Sequence, residues 1–209
     1  MGNKNKRATL IAITGGIASG KSAVSAWLEK HGNKVIYSDK LGHEALKMPK
    51  VEEQLITKFG EEILEDGKIS RQKLAKLVFS DPDNLLFLNN LTHPLIRKKM
   101  QDIADNSDED ILFYEIPLLY ENGLADKFDY VINVFSTEDV KIARIKERDG
   151  LDEEAAKLRI KAQLPDHIKL ERADINLLNN GSLEELYRQL ENIRDYFIKL
   201  PKKEIERLV

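Results

Sequence analysis

The chain has 209 residues, enough for one sizeable domain carrying an insertion and cramped for two independent ones. Its 42% hydrophobic and 33% charged residues exclude a disordered or fibrous chain. A formal net charge of -3 removes the global signature of a nucleic-acid binder, so any anion site has to be concentrated, and the lack of cysteine removes disulfides and thiolate metal sites.

The start, Met1 to Arg7, is polar and basic, and the apolar run after it ends at Gly15 and Gly16, too short for a signal or a membrane span. A cytoplasmic protein with no membrane association is expected. Gly2 stands where N-myristoylation would need it, but Lys6 occupies the place of the required Ser or Thr.

Thr9 to Ile13 is almost wholly apolar and β-branched, which predicts a central parallel strand buried on both faces. Glycines then open a helix over Lys21 to Lys30, with Val24, Trp27 and Leu28 at helical spacing and Gly32 as its stop. Short apolar runs return at Val35 to Tyr37, Ile111 to Tyr114, Tyr130 to Phe135 and Ile175 to Leu178, separated by helical stretches. This alternation predicts an α/β fold with a parallel sheet. Between Leu41 and Asp105 the periodicity is helical at Val51–Phe59, Ser70–Phe79 and Leu85–Met100, with no convincing strand, so a helical insertion is expected between the second and third strands. Ser136 with Asp139 reads as a capping pair for a helix reaching Arg148. Arg148 to Arg172 is polar and helical, one helix is expected from Ser182 beyond Tyr196, and another after Pro201.

Gly15-Gly16-Ile17-Ala18-Ser19-Gly20-Lys21-Ser22 fits the pattern Gly, four residues, Gly, Lys, Ser or Thr. Glycines there let successive backbone N–H groups approach phosphates, and the helix beginning near Lys21 aims its positive dipole end at them. Lys21 then serves the β- and γ-phosphates and Ser22 binds magnesium. A preceding strand and a following amphipathic helix are the context that a phosphate loop needs. Asp39-Lys40-Leu41-Gly42 fits a GTPase element, but it comes too soon after Lys21 to leave a switch segment, and no Asn-Lys-x-Asp guanine reader is present.

Asp39 closes the second strand run, at the sheet end where the phosphate loop also lies, so it can face an acceptor hydroxyl, cap the following helix, or do both. Glu115 closes the third run and can hold magnesium-bound water or the acceptor. Arg144 and Arg148 share one helical face, and with Arg159 they can close over a triphosphate. His93 with Arg97, inside the insertion, can donate to a phosphorylated acceptor.

Several segments together resemble the dephospho-coenzyme A kinase family, from about Leu10 to Gly181. They are Thr14 to Ser22, Val35 to Asp39, Leu91-Thr92-His93-Pro94-Leu95-Ile96, Ile116-Pro117-Leu118-Leu119-Tyr120-Glu121, Arg144 with Arg148-Asp149, and Ala173-Asp174 through Asn179-Asn180-Gly181. The resemblance implies an α/β P-loop kinase core with a five-stranded parallel sheet flanked by helices, a helical acceptor-binding insertion and a helical lid. In this chain those would be a nucleotide-binding core of 1–40, 106–147 and 173–209, an insertion of 41–105 for the CoA acceptor, and a lid of 148–172. It implies transfer of the γ-phosphoryl group of ATP to the ribose 3′-hydroxyl of dephospho-CoA, the last step of coenzyme A biosynthesis. Catalysis would rest on Lys21, Asp39 and Arg144. ATP would lie on Gly16, Ile17, Ala18, Ser19, Gly20, Lys21, Ser22 and Ala23, with Arg144, Arg148, Asn180 and Gly181. The acceptor would meet Asp39, His93, Arg97, Glu115 and Leu118, and Mg2+ would take Ser22. The family usually has an acid where Tyr37 stands, alanine at Ser38, aspartate at Glu115 and threonine at Ala23. Another P-loop small-molecule or nucleoside monophosphate kinase, or a nucleotide-binding switch protein, are the alternative readings.

Overall fold

A computed structural model describes residues 7–191 and 193–209; the Gly2 and Lys6 reading lies outside the described residues. The chain divides into two compact units, one of residues 1–37 with 104–207 and one of 38–103 with 208–209.

The first unit is built on a five-stranded, wholly parallel sheet. Its strands are β1 (Thr9–Gly15), β2 (Val35–Tyr37), β5 (Ile111–Glu115), β6 (Tyr130–Phe135) and β7 (Ile175–Leu178), in the spatial order β2-β5-β1-β6-β7. All seven residues of β1 are buried, as are most of β5 and β6, because helices cover both faces. Helices α1 (Lys21–Lys30), α9 (Leu183–Leu190) and α10 (Ile193–Lys199) pack Val24, Leu28, Leu186, Leu190 and Phe197 against Ile11, Ile13, Phe113, Ile132 and Val134. A smaller cluster joins Ile142 and Ile145 of α6 (Glu138–Asp149) to Ala156 of α7 (Glu153–Lys161), with Ile17 and Ala18 packed on it.

The second unit holds α2 (Ser38–Ala45), α3 (Pro49–Phe59), α4 (Arg71–Phe79) and most of α5 (Pro82–Asp105). Val51, Leu55, Ile63, Leu74 and Val78 form its core, bordered by Leu91 and Leu95 of α5. The expectation of a strandless insertion is corrected here: β3 (Leu64–Glu65) and β4 (Lys68–Ile69) form a small antiparallel hairpin. Its turn is Asp66-Gly67, with φ of 51° and 72°, the two positive values that an Asp-Gly hairpin turn supplies.

Three helix expectations are also corrected. Ser136 caps nothing: its hydroxyl is buried and donates to the Asn179 carbonyl at 2.6 Å, and α6 begins after Thr137 with Glu138 and Asp139 in its first turn. The helix after Ser182 does not run unbroken, because Glu191 leaves helical dihedrals (φ -55°, ψ 132°) and α10 begins afresh at Ile193. The segment after Pro201 is not helical. Its polar backbone groups are taken instead by the sheet base: the Tyr130 hydroxyl donates to the Pro201 carbonyl, and Lys203 N donates to Asp129 Oδ1 at 2.8 Å.

Candidate active site

The phosphate loop leaves the carboxyl end of β1, at the middle of the sheet, and β5 and β6 flank it on either side, which is where an open parallel sheet binds its ligand. Gly20, the residue before α1, has φ of 100°, a left-handed value that a side chain resists. A Cβ there would lie 2.1 Å from Asn179 Nδ2, so space as well as dihedral demands glycine. Lys21 Nζ donates to the carbonyls of Gly15 (2.9 Å) and Gly16 (3.0 Å), which folds the ammonium back along the loop. Ser22 lies exposed in the first turn of α1, and Ala23 is half-buried behind it.

Side chains from distant elements hold the loop from below. Asn179, just past β7, donates to Ser19 O at 2.8 Å; Ser136, just past β6, gives its one hydroxyl proton to Asn179 O and lies 3.3 Å from the Ser19 carbonyl. Ile17 N donates to Gln163 Oε1 at 2.7 Å. Arg144 of α6 donates to Ala18 O (3.2 Å), to Ser136 Oγ (3.0 Å) and to Asn179 O (3.0 Å), so its guanidinium binds the loop and the end of β7 together. The loop is therefore preorganised, with its carbonyls occupied by the protein.

Arg148 and Arg159 converge on one carboxylate. Arg148 donates to Asp149 at 2.8 and 2.9 Å and Arg159 at 2.8 Å, and the Arg148 contact leads the effects that hold the Asp149 carboxyl below its ordinary range. Asn180 Oδ1 accepts Thr137 N at 2.8 Å, fixing the loop that also carries the exposed Gly181. On the other side of β1, Glu115 ends β5 beside Tyr37 of β2 and accepts the hydroxyl of the buried Ser25. The Tyr37 hydroxyl donates to Glu29 at 2.8 Å; burial first, and then that carboxylate, hold its pKa well above the tyrosine range. Leu118 is exposed two residues after Ile116.

In the second unit, Asp39 is exposed in the first turn of α2, where a carboxylate also suits the helix dipole. His93 and Arg97 follow one another around one face of α5, half-buried. Burial, followed by the charge of Arg97, lowers the His93 pKa and favours the neutral imidazole.

The sequence pattern points to the loop and proposes Lys21 and Ser22 as its functional side chains. It misses Ser136, Gln163 and Asn179, whose contacts on the loop lie 117 to 160 positions away. It also misses Glu121, whose Oε1 accepts Leu164 N (3.0 Å) and stands 2.8 Å from the fully buried Lys169. Burial opposes ionisation of Glu121, but Lys169 and the backbone N–H groups outweigh it and hold the carboxyl below its ordinary value. Glu121 and Asn179 fall inside segments that carry the family resemblance, but no local signal gives any of these residues its role.

A family model of dephospho-CoA kinases matches residues 9–185. The chain belongs to the dephospho-CoA kinase family. A dephospho-CoA kinase of Fusobacterium nucleatum is 37% identical over 184 residues, which are 87% of this chain and 95% of that relative. The crystal structure of a Thermus thermophilus protein superposes with a TM-score of 0.81 at 36% identity, covering 91% of this chain and 98% of that one. Dephospho-CoA kinase from Campylobacter jejuni gives 0.67 at 31% identity, over 90% and 98% of the two chains. The expected five-stranded P-loop kinase fold is the fold observed. Among the described residues, no helix is long and apolar enough to cross a membrane.

Proposed function

We propose that this dephospho-CoA kinase family member transfers the γ-phosphoryl group of ATP to the ribose 3′-hydroxyl of dephospho-CoA in the cytoplasm. The observation that carries the reading is the preorganised phosphate loop, with Lys21 at the start of α1 and Arg144 bound to the loop's own carbonyls. ATP lies along 16–23, with Arg144 and Arg148 as its arginines and Asn180 and Gly181 beside the base. Residues 41–105 recognise the acceptor, through His93, Arg97, Glu115 of the core and Leu118, and 148–172 act as the lid.

The donor set fits magnesium carried in with the nucleotide. Among the described residues no cluster of three His, Asp or Glu can cage a metal, whereas the exposed Ser22 hydroxyl can complete a shell of phosphate oxygens and water. When bound there, magnesium neutralises charge on the phosphates. Lys21, turned from the Gly15 and Gly16 carbonyls, counters charge on the transferring group, and loop N–H groups fix its oxygens. Asp39 orients the ribose hydroxyl; a free carboxylate is a weak base for a sugar alcohol, so it accepts the proton late. Glu115, restrained by Ser25, orders water or acceptor at the end of β5.

The test is coupled-assay ADP release with Mg-ATP, comparing dephospho-CoA, adenosine, AMP and no acceptor, repeated with Lys21→Ala. Release selective for dephospho-CoA that vanishes in the variant is expected. Nucleotide binding without acceptor-dependent release would overturn the reading in favour of a switch protein.

A further inference from the structure

Lys141, the fourth residue of α6 and the first buried one, carries its charge inside the protein: its side chain is 1% exposed. Its ammonium donates to Asp166, the first residue of α8 (Asp166–Arg172), whose side chain is 29% exposed. Both charged ends press on the phosphate loop. A Cβ placed on Gly16 would lie 3.2 Å from Lys141 Nζ and 3.2 Å from Asp166 Oδ1. Three residues before Asp166, Gln163 holds Ile17 N, and three residues after it Lys169 is paired with Glu121. The 163–169 segment is thus moored at three points, to Ile17 of the loop, to Lys141 of α6 and to Glu121.

A buried ammonium costs several kcal/mol of desolvation unless it is compensated, and a buried pair often adds nothing to stability over an apolar replacement. Packing alone does not explain a lysine here. The unequal exposure of the partners supplies a reason. Water screens the Asp166 carboxylate and leaves the Lys141 ammonium unscreened, so the pair presents a net positive potential to the backbone of Gly16. Lys21 already lies on the Gly16 carbonyl. Gly16 is therefore flanked by two ammonium groups, that of the half-buried Lys21 and that of the buried Lys141.

We propose that Lys141 and Asp166 are a positioning pair for the nucleotide: Lys141 adds a fixed positive charge beneath the phosphate loop, and Asp166 is the counter-ion that seats the 163–169 segment on the loop and moderates that charge. The proposal rests on the reading of this loop as the ATP site. Neither residue touches substrate. The two act on bound polyphosphate with opposite sign, which a merely structural ion pair does not do.

Calorimetric titration of Mg-ATP into the full chain and its variants separates these roles. Asp166→Asn, which removes the counter-charge, is expected to tighten ATP binding about threefold, and Lys141→Met to weaken it about three- to tenfold. The neutral double variant Lys141→Met/Asp166→Asn restores thermal stability towards wild type and, having lost the pair's net positive potential, binds more weakly than wild type but more tightly than Lys141→Met. It covers the case in which Lys141→Met alone leaves Asp166 unpaired and folds poorly. Lys141→Arg keeps the charge and is expected to bind within about twofold of wild type. If Asp166→Asn and Lys141→Met weaken binding alike, or the double variant binds as wild type does, the pair is structural and the proposal fails. Failure of the underlying reading looks different: wild type and Lys21→Ala would then bind Mg-ATP equally or not at all.

Discussion

A methyl group added at Gly20 would sit 2.1 Å from Asn179 Nδ2, on a residue whose φ is 100°. Gly20→Ala therefore loses on the order of 2 kcal/mol of stability and most ATP affinity, seen as a lower Tm and a weaker binding titration, because the loop has to move off Asn179. Asp39→Asn has the opposite profile. It is expected to lower kcat about a hundredfold or more while ATP binding stays near wild type, and unchanged turnover in the coupled assay would remove Asp39 from the reaction. Glu121 titrates with the seat of the 163–169 segment. Its folded pKa is depressed from 4.5, so its contribution is complete above pH 4.5 and is lost as pH falls through the lower folded value. Urea midpoints measured from pH 3 to pH 7 should show Glu121→Gln less stable than wild type at neutral pH and the two curves converging at the acid end. At this scale the proposed roles of Lys21 and Ser22 come from the sequence, because their chemistry is tied to a fixed local spacing. Asn179, Ser136 and Gln163 were not, because each is an ordinary polar side chain whose partner is a backbone carbonyl or N–H on a distant element.

Helix α9 shows how a local rule succeeds where its neighbour fails. Ser182 accepts Glu185 N at 3.2 Å and Glu185 returns to Ser182 N at 3.1 Å, a reciprocal cap, while Leu186 and Leu190 are buried in the core. Ser182→Ala is expected to cost about 1 kcal/mol, a Tm loss of a few degrees with ATP binding little changed. The same reasoning at Ser136 misleads, since the hydroxyl is drawn into the loop's support and the helix starts two residues later. Sequence gives a cap its chemistry but not its competitors. The strand runs were legible because burial on both faces demands unbroken apolar sequence, whereas the two-residue strands around Asp66-Gly67 are too short to carry a period. The break at Glu191 is a matter of one residue's dihedral and leaves the apolar spacing on both sides intact.

For the molecule as a whole, alternation of apolar runs and helical stretches was enough to specify a parallel α/β sheet, since crossover connections leave few other arrangements. The order of strands and the division at residues 37/38 and 103/104 come from packing that no single segment encodes. The same global view bears on metal dependence. With no metal cage among the described residues, chelation by EDTA is expected to abolish acceptor-dependent ADP release while leaving the Tm of the nucleotide-free chain within about a degree. A large fall in Tm on chelation would mean a structural metal site instead.

The tie between Asn179 and Ser19 spans 160 positions. A ribosome delivers the Gly-rich loop 160 positions before its support, which comes only after β7 has been made. Until then the nascent protein carries a phosphate-binding sequence without a phosphate-binding shape. Competence for nucleotide is thus acquired late and all at once in biosynthesis, so a chain truncated before residue 179 should be blind to ATP however well its earlier strands have folded.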